Sequence, residues 1–532
     1  MNRTAVRLKL FFLFAAGLIC AAADAQVDLI TNVAARNSVS LDGQWQYIID
    51  PYETGIYDYR HKELRQKDPG AYWNADQPAN KMDRKEYGYA ERLSLKVPGD
   101  WNSQKPEFLY YEGTVWYRRN FDYPKGKTTG KTFIYFGAVN YRADVYLNGV
   151  KLGMHEGGFT PFNFEIPDTL MKEKGNFLVV RVDNKRSAEG VPTLNTDWWN
   201  YGGITRSVRI IEMPPAAIRD YVIQLKPKSN SADLVEGWVK LDSVIRGDQI
   251  TIEIPGLKLK KKFPVEGKTI PVSFILPPFQ HWSPEHPTLY KIVVANNTDR
   301  LEEKIGFRTI ETKGKQILLN GKPVFLRGIC IHEEIPQQGR RAYSREDALQ
   351  LLGWAKELNC NMVRLAHYPH DESMTRAADS LGILVWSEIP VYWTIEFSNP
   401  DVLKNAERQL TEEIHRDHNR ASIIIWSVGN ETPVSETRTR FLKALVDSAR
   451  IMDPTRLLTA ALEVNYNGSS QTRMIDDPLG EYLDLVSFNE YLGWYGGTPA
   501  SCRTALWGTK YNKPLFISET GAGALGGFHG ES

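Results

Sequence analysis

Two rhythms of apolar and polar positions divide this chain. From about residue 40 to 212 the apolar residues fall in short runs, as in Thr132–Phe136, Ala143–Leu147 and Phe177–Val182. A repeat of two is the signature of a strand with one face in a core. Asn148-Gly149 lies between Val-Tyr-Leu and Val-Lys-Leu, and both residue types accept the positive φ of a two-residue hairpin. Pro214-Pro215 then marks a boundary. Alternation resumes over 218–310, in Tyr221–Leu225, Leu234–Leu241 and Tyr290–Val294. The first stretch predicts a β-sandwich within 26–215, and the second an immunoglobulin-like β-sandwich within 216–312.

Past residue 313 the period lengthens. Ser344, with Asp347 three positions on, is placed to cap a helix whose face carries Ala348, Leu351, Leu352, Ala355 and Leu358. A second helix carries Met374, Ala377, Ala378 and Leu381, and a third opens at Asn399-Pro400 with Leu403, Ala406, Leu410 and Ile414. A fourth surrounds Phe441–Ile451. Between and after them come apolar runs at Val324–Ile331, Met362–Ala366, Leu384–Glu388, Ile423–Val428, Leu457–Ala461, Leu485–Asn489 and Leu515–Ser518. Strands alternating with amphipathic helices predict parallel βα units. A closed TIM barrel has eight strands, and 313–532 supplies seven. The eighth strand and its helix are therefore expected beyond Ser532, and the chain reads as a fragment or an incomplete reading frame.

Composition adds little to the fold and more to the setting. The formal charge of +1 argues against a nucleic-acid surface or a polybasic membrane patch. Residues 1–25 read as a signal peptide, with Arg3, Arg7 and Lys9 before the apolar run Leu10–Ala23, and Ala23-Asp24-Ala25 before the cut. The run is short for a membrane span, so export to the periplasm or the exterior is expected. Cys330, Cys360 and Cys502 form neither a disulfide framework nor a zinc motif. Cys330 and Cys360, near predicted strands, are expected to be buried. The glycine-rich Gly521–Gly530 lacks the Lys-Ser/Thr of a phosphate loop and is expected to cover the site. Trp386, Trp393 and Trp494 suit either sugar stacking or rim packing.

The chemistry concentrates at two strand ends. Glu431 closes Ser-Ile-Ile-Ile-Trp-Ser-Val-Gly-Asn-Glu, and Glu519 closes Pro-Leu-Phe-Ile-Ser-Glu. Carboxylates at the C-terminal tips of barrel strands converge at the catalytic face. Hydrolysis of a glycoside with retention uses such a pair, one as nucleophile and one as proton donor. Asn430, beside Glu431, can offer an amide to a neighbouring sugar hydroxyl. The chemistry requires no redox or organic cofactor.

Asn361-Met-Val-Arg364-Leu-Ala-His367-Tyr368-Pro369, followed by Asp379-Ser-Leu-Gly382-Ile-Leu-Val-Trp-Ser-Glu388, resembles the signature of family-2 glycoside hydrolases. Ser-Val-Gly-Asn-Glu431 is similar to that family's acid/base segment, and Ile-Ser-Glu519 to its nucleophile segment. Leu365-Ala366 departs from the small pair usual before His-Tyr-Pro. The resemblance covers nearly the whole mature chain and implies that the first sandwich is a jelly roll with a sugar-binding-like role. Trp199-Asn-Tyr-Gly-Gly-Ile-Thr-Arg-Ser-Val208, Asn489-Glu-Tyr491-Leu-Gly-Trp494-Tyr495 and the segment after Glu519 resemble the β-glucuronidases of the family.

The resemblance further implies that Tyr491 hydrogen-bonds the nucleophile, and that Asp197 reaches the sugar from the jelly roll. It implies that His332, Arg364, His367 and Tyr495 line the site. The expected activity is a retaining exo-β-glycosidase acting on β-D-glucuronides, with a carbohydrate or glycoconjugate as partner. The alternatives are a β-galactosidase, an endo-acting glycanase, or a catalytically incomplete carbohydrate-binding fragment. The Asn-x-Lys that grips glucuronate in the family would lie beyond Ser532. A divalent metal, present in some galactosidases of the family, and a homo-oligomeric state are left open.

Overall fold

The computed structural model describes residues 29–65, 68, 70–74, 88–89, 93–124, 130–227, 233–464 and 472–523. The expected signal peptide and most of Gly521–Gly530 lie outside these residues. Among the described residues no helix is long and apolar enough to cross a membrane.

The first sandwich packs a four-stranded sheet (Ser38–Ser40, Val208–Met213, Lys131–Phe136, Phe162–Ile166) on a six-stranded sheet. Residues alternating into the space between them, such as Trp45, Val115, Ile134, Val180 and Ile210, form one core. Asn148 and Gly149 both have positive φ, 51° and 84°, as the hairpin between Arg142–Leu147 and Val150–Glu156 requires. The second sandwich has three strands facing four, around Tyr221, Val239, Ile252 and Val294. Its seven short strands match the immunoglobulin-like reading.

The third region is a parallel sheet of seven strands: Gly328–Ile331, Met362–Leu365, Leu384–Glu388, Ile423–Asn430, Leu457–Leu462, Val486–Asn489 and Leu515–Glu519. They pair in that order, each with the next. Between the first four lie helices Arg345–Glu357, Glu372–Leu381 and Pro400–Asp417, and Glu436–Met452 follows the fourth. The Ser344–Asp347 capping box forms in both directions, and Asn399 caps the helix that opens at Pro400. Leu358 departs from its expected place and is 64 % exposed. It is the C-cap, past the last helical turn, so the helical period no longer aims it inward.

Among the described residues no ladder joins the first strand to the seventh. Phe325, Cys330, Leu515 and Ile517 are consequently exposed along this interval. This corrects the expectation that Cys330 and Cys360 are buried: Cys330 is exposed and Cys360 half-buried. A strand residue is covered on both sides only where neighbouring strands flank it.

Ionic clusters fix both sandwiches to the barrel. At the jelly roll, buried Arg206 donates to both Glu333 oxygens at 3.1 Å and to the Pro369 carbonyl at 2.6 Å. Arg341 lies on Glu333 at 2.7 Å. Burial opposes the charge on Glu333, but the two guanidiniums override it and hold its carboxyl down at about 2. At the second sandwich, Asp220 faces His415 at 2.7 Å and His418 at 3.2 Å. These three groups could hold a metal ion by their proximity. Thr31 Oγ1 and the Tyr221 amide also donate to the same carboxylate, so the ion pairs already satisfy it.

Burial alone would lower the His418 pKa, but Asp220 and, further off, Asp453 raise it against Arg456. A histidine raised on folding stabilises fully below its unfolded value of about 6.5, and loses that contribution as pH rises through the folded value. The thermal midpoint is therefore expected to fall as pH rises above neutrality. Scanning calorimetry from pH 6 to 9 should show that fall flattened in His418→Gln, with roughly 1–3 kcal/mol lost at the acid end. A variant profile parallel to the wild type would remove His418 from the clamp.

Candidate active site

Every strand of the sheet runs parallel, so all seven C-terminal tips face one way, and the carboxylates gather there. Glu431 follows the fourth strand with φ 46°, a region that non-glycine residues occupy at a cost and that recurs at functional sites. Its amide donates to the Ala461 carbonyl at 2.9 Å, and its carboxylate takes two donors. Trp393 Nε1 lies 3.0 Å from Oε2, and Asn489 Nδ2 lies 2.9 Å from Oε1. Asn489 is in turn the target of Ser518 Oγ at 2.8 Å. One amide thus joins Glu431 to the strand that carries Glu519.

Glu519 sits across from Asn489 in the ladder. Arg364 Nη1 donates to its Oε1, and Tyr491 OH to its Oε2. His367 Nε2 stands 3.6 Å from Oε1. Burial raises the Tyr491 pKa, and the bond to Glu519 raises it further, so the phenol stays a donor at any working pH.

Arg364, only 3 % exposed at its side chain, organises the floor. Its Nη2 donates to Glu388 at 2.8 Å and to Asn430 Oδ1 at 2.8 Å, and its guanidinium lies 5.1 Å from the Trp386 ring centre. Burial disfavours charge on Glu388, yet Arg364 and His367 draw its carboxyl down to about 2. The His332 pKa is lowered too, to about 3, by burial and by His367, which for a histidine favours the uncharged form. His332 therefore meets a ligand as neutral imidazole, offering hydrogen bonds rather than charge.

The wall opposite comes from the jelly roll. Tyr392, after the third strand, donates to Asp197 Oδ2 at 2.9 Å. Trp198 packs its ring 5.9 Å from His367 and 5.1 Å from Tyr392. Asp197, His332, Arg364, His367, Glu431, Tyr491, Tyr495 and Glu519 all line one cavity of about 1300 Å³, which continues down the interval between the first and seventh strands. Asn430 lies behind this wall and is 2 % exposed. Its Nδ2 has no hydrogen-bond partner among the described residues, which leaves a donor to spare.

Of the three tryptophans, Trp386 is fully buried and donates to Glu388 at 2.8 Å, so it is core. Trp393 holds Glu431, and Trp494 stays partly exposed at the rim. Glu388, Tyr392, Trp198 and Asn489 were not singled out for the site from the sequence. Glu388 and Asn489 close strand runs, as Glu431 and Glu519 do, and that position was their available signal.

Residues 310–531 match the model of the glycosyl hydrolases family 2 TIM barrel domain, and residues 39–214 match that of the family 2 sugar binding domain. A putative beta-glucuronidase of Formosa agariphila is 30% identical over 466 residues, covering 82% of this chain. The chain spans about half, 54%, of that relative's length. A structure of Bifidobacterium dentium beta-glucuronidase complexed with coumarin-3-O-glucuronide has a TM-score of 0.77 at 25% identity, covering 93% of this chain and 85% of the other. A GH2 beta-galacturonidase from Eisenbergiella tayi bound to galacturonate has a TM-score of 0.74 at 26% identity, covering 93% and 83%. With a jelly roll, an immunoglobulin-like sandwich and a TIM-barrel sheet presenting paired glutamates, the chain belongs to glycosyl hydrolase family 2.

Proposed function

We propose that the site is that of a retaining exo-β-glycosidase acting on terminal β-D-glucuronides. The observation that carries this reading is the wiring of the two glutamates. Glu519 receives a guanidinium and a phenol, donors that stabilise negative charge on a nucleophile. Glu431 receives an amide and an indole and, among the described residues, touches no cation. Two carboxylates in unlike surroundings fit two unlike roles.

In the first step a Glu519 oxygen bonds the anomeric carbon as the glycosidic C–O bond breaks. The leaving oxygen takes the proton of Glu431. In the second, Glu431 removes a proton from water, whose oxygen attacks the anomeric carbon and releases Glu519. His332 and Asp197 line the cavity and are positioned to hold sugar hydroxyls. The uronide assignment draws on the relatives, whose names include both glucuronidase and galacturonidase. These two sugars differ only in the orientation at C4.

Three outcomes are expected. The chain should release 4-nitrophenol from its β-D-glucuronide at least tenfold faster, by kcat/KM, than from the β-D-galacturonide or β-D-galactoside. A reversed order would reassign the sugar, and no release from any of them would defeat the enzymatic reading. Glu431→Ala should lower kcat by about 10²–10⁴. Azide should rescue it to a β-glycosyl azide, whereas Glu519→Ala with azide should give the α-anomer; product NMR giving the opposite anomers would exchange the two roles. Tyr491→Phe should cost about 10–100-fold in kcat/KM through one lost charged hydrogen bond, with the circular dichroism unaltered.

A further inference from the structure

Beside the catalytic cavity, on the jelly roll, is a separate groove of about 400 Å³ that includes Tyr110, Glu112, Arg186 and Trp199 in its lining. Its volume lies in the range of small-molecule sites, which begin at about 300 Å³. Asp197 lines both this groove and the large cavity, so the two share a wall.

Tyr110 is 81% exposed and Trp199 41% exposed, and their ring centres stand 5.6 Å apart at 47°. Large aromatic rings left open together are uncommon on a surface that has no use for them. They form an angled platform, and it is a built one. Asn102 Nδ2 donates to the Phe108 carbonyl at 2.9 Å, fixing the loop that carries Tyr110. The same side chain's Oδ1 accepts from the Gly202 amide at 2.9 Å, fixing the loop that carries Trp199. A single buried asparagine therefore sets the two rings relative to each other before any ligand arrives.

The edge of the groove is polar but balanced. Arg186 donates through Nε and Nη2 to Glu112 Oε1, at 3.0 and 2.8 Å, and through Nη1 to the Leu194 carbonyl. Both bonds to the carboxylate fall on one oxygen, which leaves Oε2 able to accept a hydroxyl. With its charge neutralised by Glu112, Arg186 is a poor anchor for an anion. Aromatic faces carry negative quadrupole potential, which suits the slightly positive C–H face of a pyranose.

We infer that this groove is a second sugar subsite, in which Tyr110 and Trp199 stack on a neutral pyranose of the leaving group. The substrate would then be an oligosaccharide capped by the uronic acid rather than a small conjugate. This rests on the functional reading above, and its test separates the two.

The kcat/KM of β-D-glucuronyl-(1→4)-cellobiose is measured against that of 4-nitrophenyl β-D-glucuronide, for wild type, Trp199→Ala and Tyr110→Ala. The trisaccharide-to-aryl ratio is expected to fall about tenfold in each variant, mainly through KM, as removal of one stacked ring predicts. Equal losses on both substrates, or no change in the ratio, would overturn the subsite. A changed oligomeric state with a constant ratio would make the platform a self-interface instead. If wild type cleaves neither substrate, saturation-transfer NMR with cellobiose decides independently. Signal from cellobiose that disappears in Trp199→Ala supports the subsite, and absence of signal in wild type rejects it. Tighter binding of a uronate disaccharide than of cellobiose would reject the neutral assignment.

Discussion

A guanidinium buried beneath the strand tips is the constraint on which the catalytic face depends. Arg364 cannot be left unpaired in that setting, because an uncompensated buried charge is far more costly than a paired one. It must therefore be answered by several acceptors at once, and Glu388, Asn430 and Glu519 answer it from three different strands. Each acceptor is the last or nearly the last residue of its strand. The registers of the second, third, fourth and seventh strands are thus tied to a single planar fork whose geometry allows little play. The fixed placement of the Glu519 carboxylate and the cohesion of the sheet here have one cause.

The same logic operates at the domain boundary. Glu333 stands between Arg206 of the jelly roll and Arg341 of the barrel. Such a triad is not a large source of net stability. Its effect is on specificity of docking, since sliding the jelly roll would strand the Arg206 guanidinium without its carboxylate and away from water. That fixed docking is what allows a loop from one domain to stand against the Tyr392 hydroxyl of another at 2.9 Å.

How much of this could be read from the chain depends on the kind of order involved. Strand existence, the capping of helices by Ser344 and Asn399, and the two glutamates were legible because each is signalled locally, by period, by cap chemistry or by position at the end of an apolar run. Partnerships were not. Nothing in the sequence near Asn489 states that its amide will meet Glu431, 58 positions earlier. Nothing near Tyr392 points to Asp197. Cys330 sits in an apolar run and yet is exposed, because burial of a strand residue is decided by its lateral neighbours. Trp386 was ambiguous from sequence for a related reason: the same residue type serves as a sugar platform or as packing under a cation, and its full burial, its bond to Glu388 and the 5.1 Å approach of Arg364 tell them apart.

Asp197 has one more consequence. The atoms that would break a bond are all anchored in the barrel, on strands locked by Arg364, whereas part of the wall that meets the ligand hangs on a jelly-roll loop outside that lattice. Substitutions in the loop can reshape what is admitted without disturbing the groups that react. Bond breaking and ligand admission are therefore carried by separate parts of this architecture, the one on barrel strands and the other partly on a jelly-roll loop.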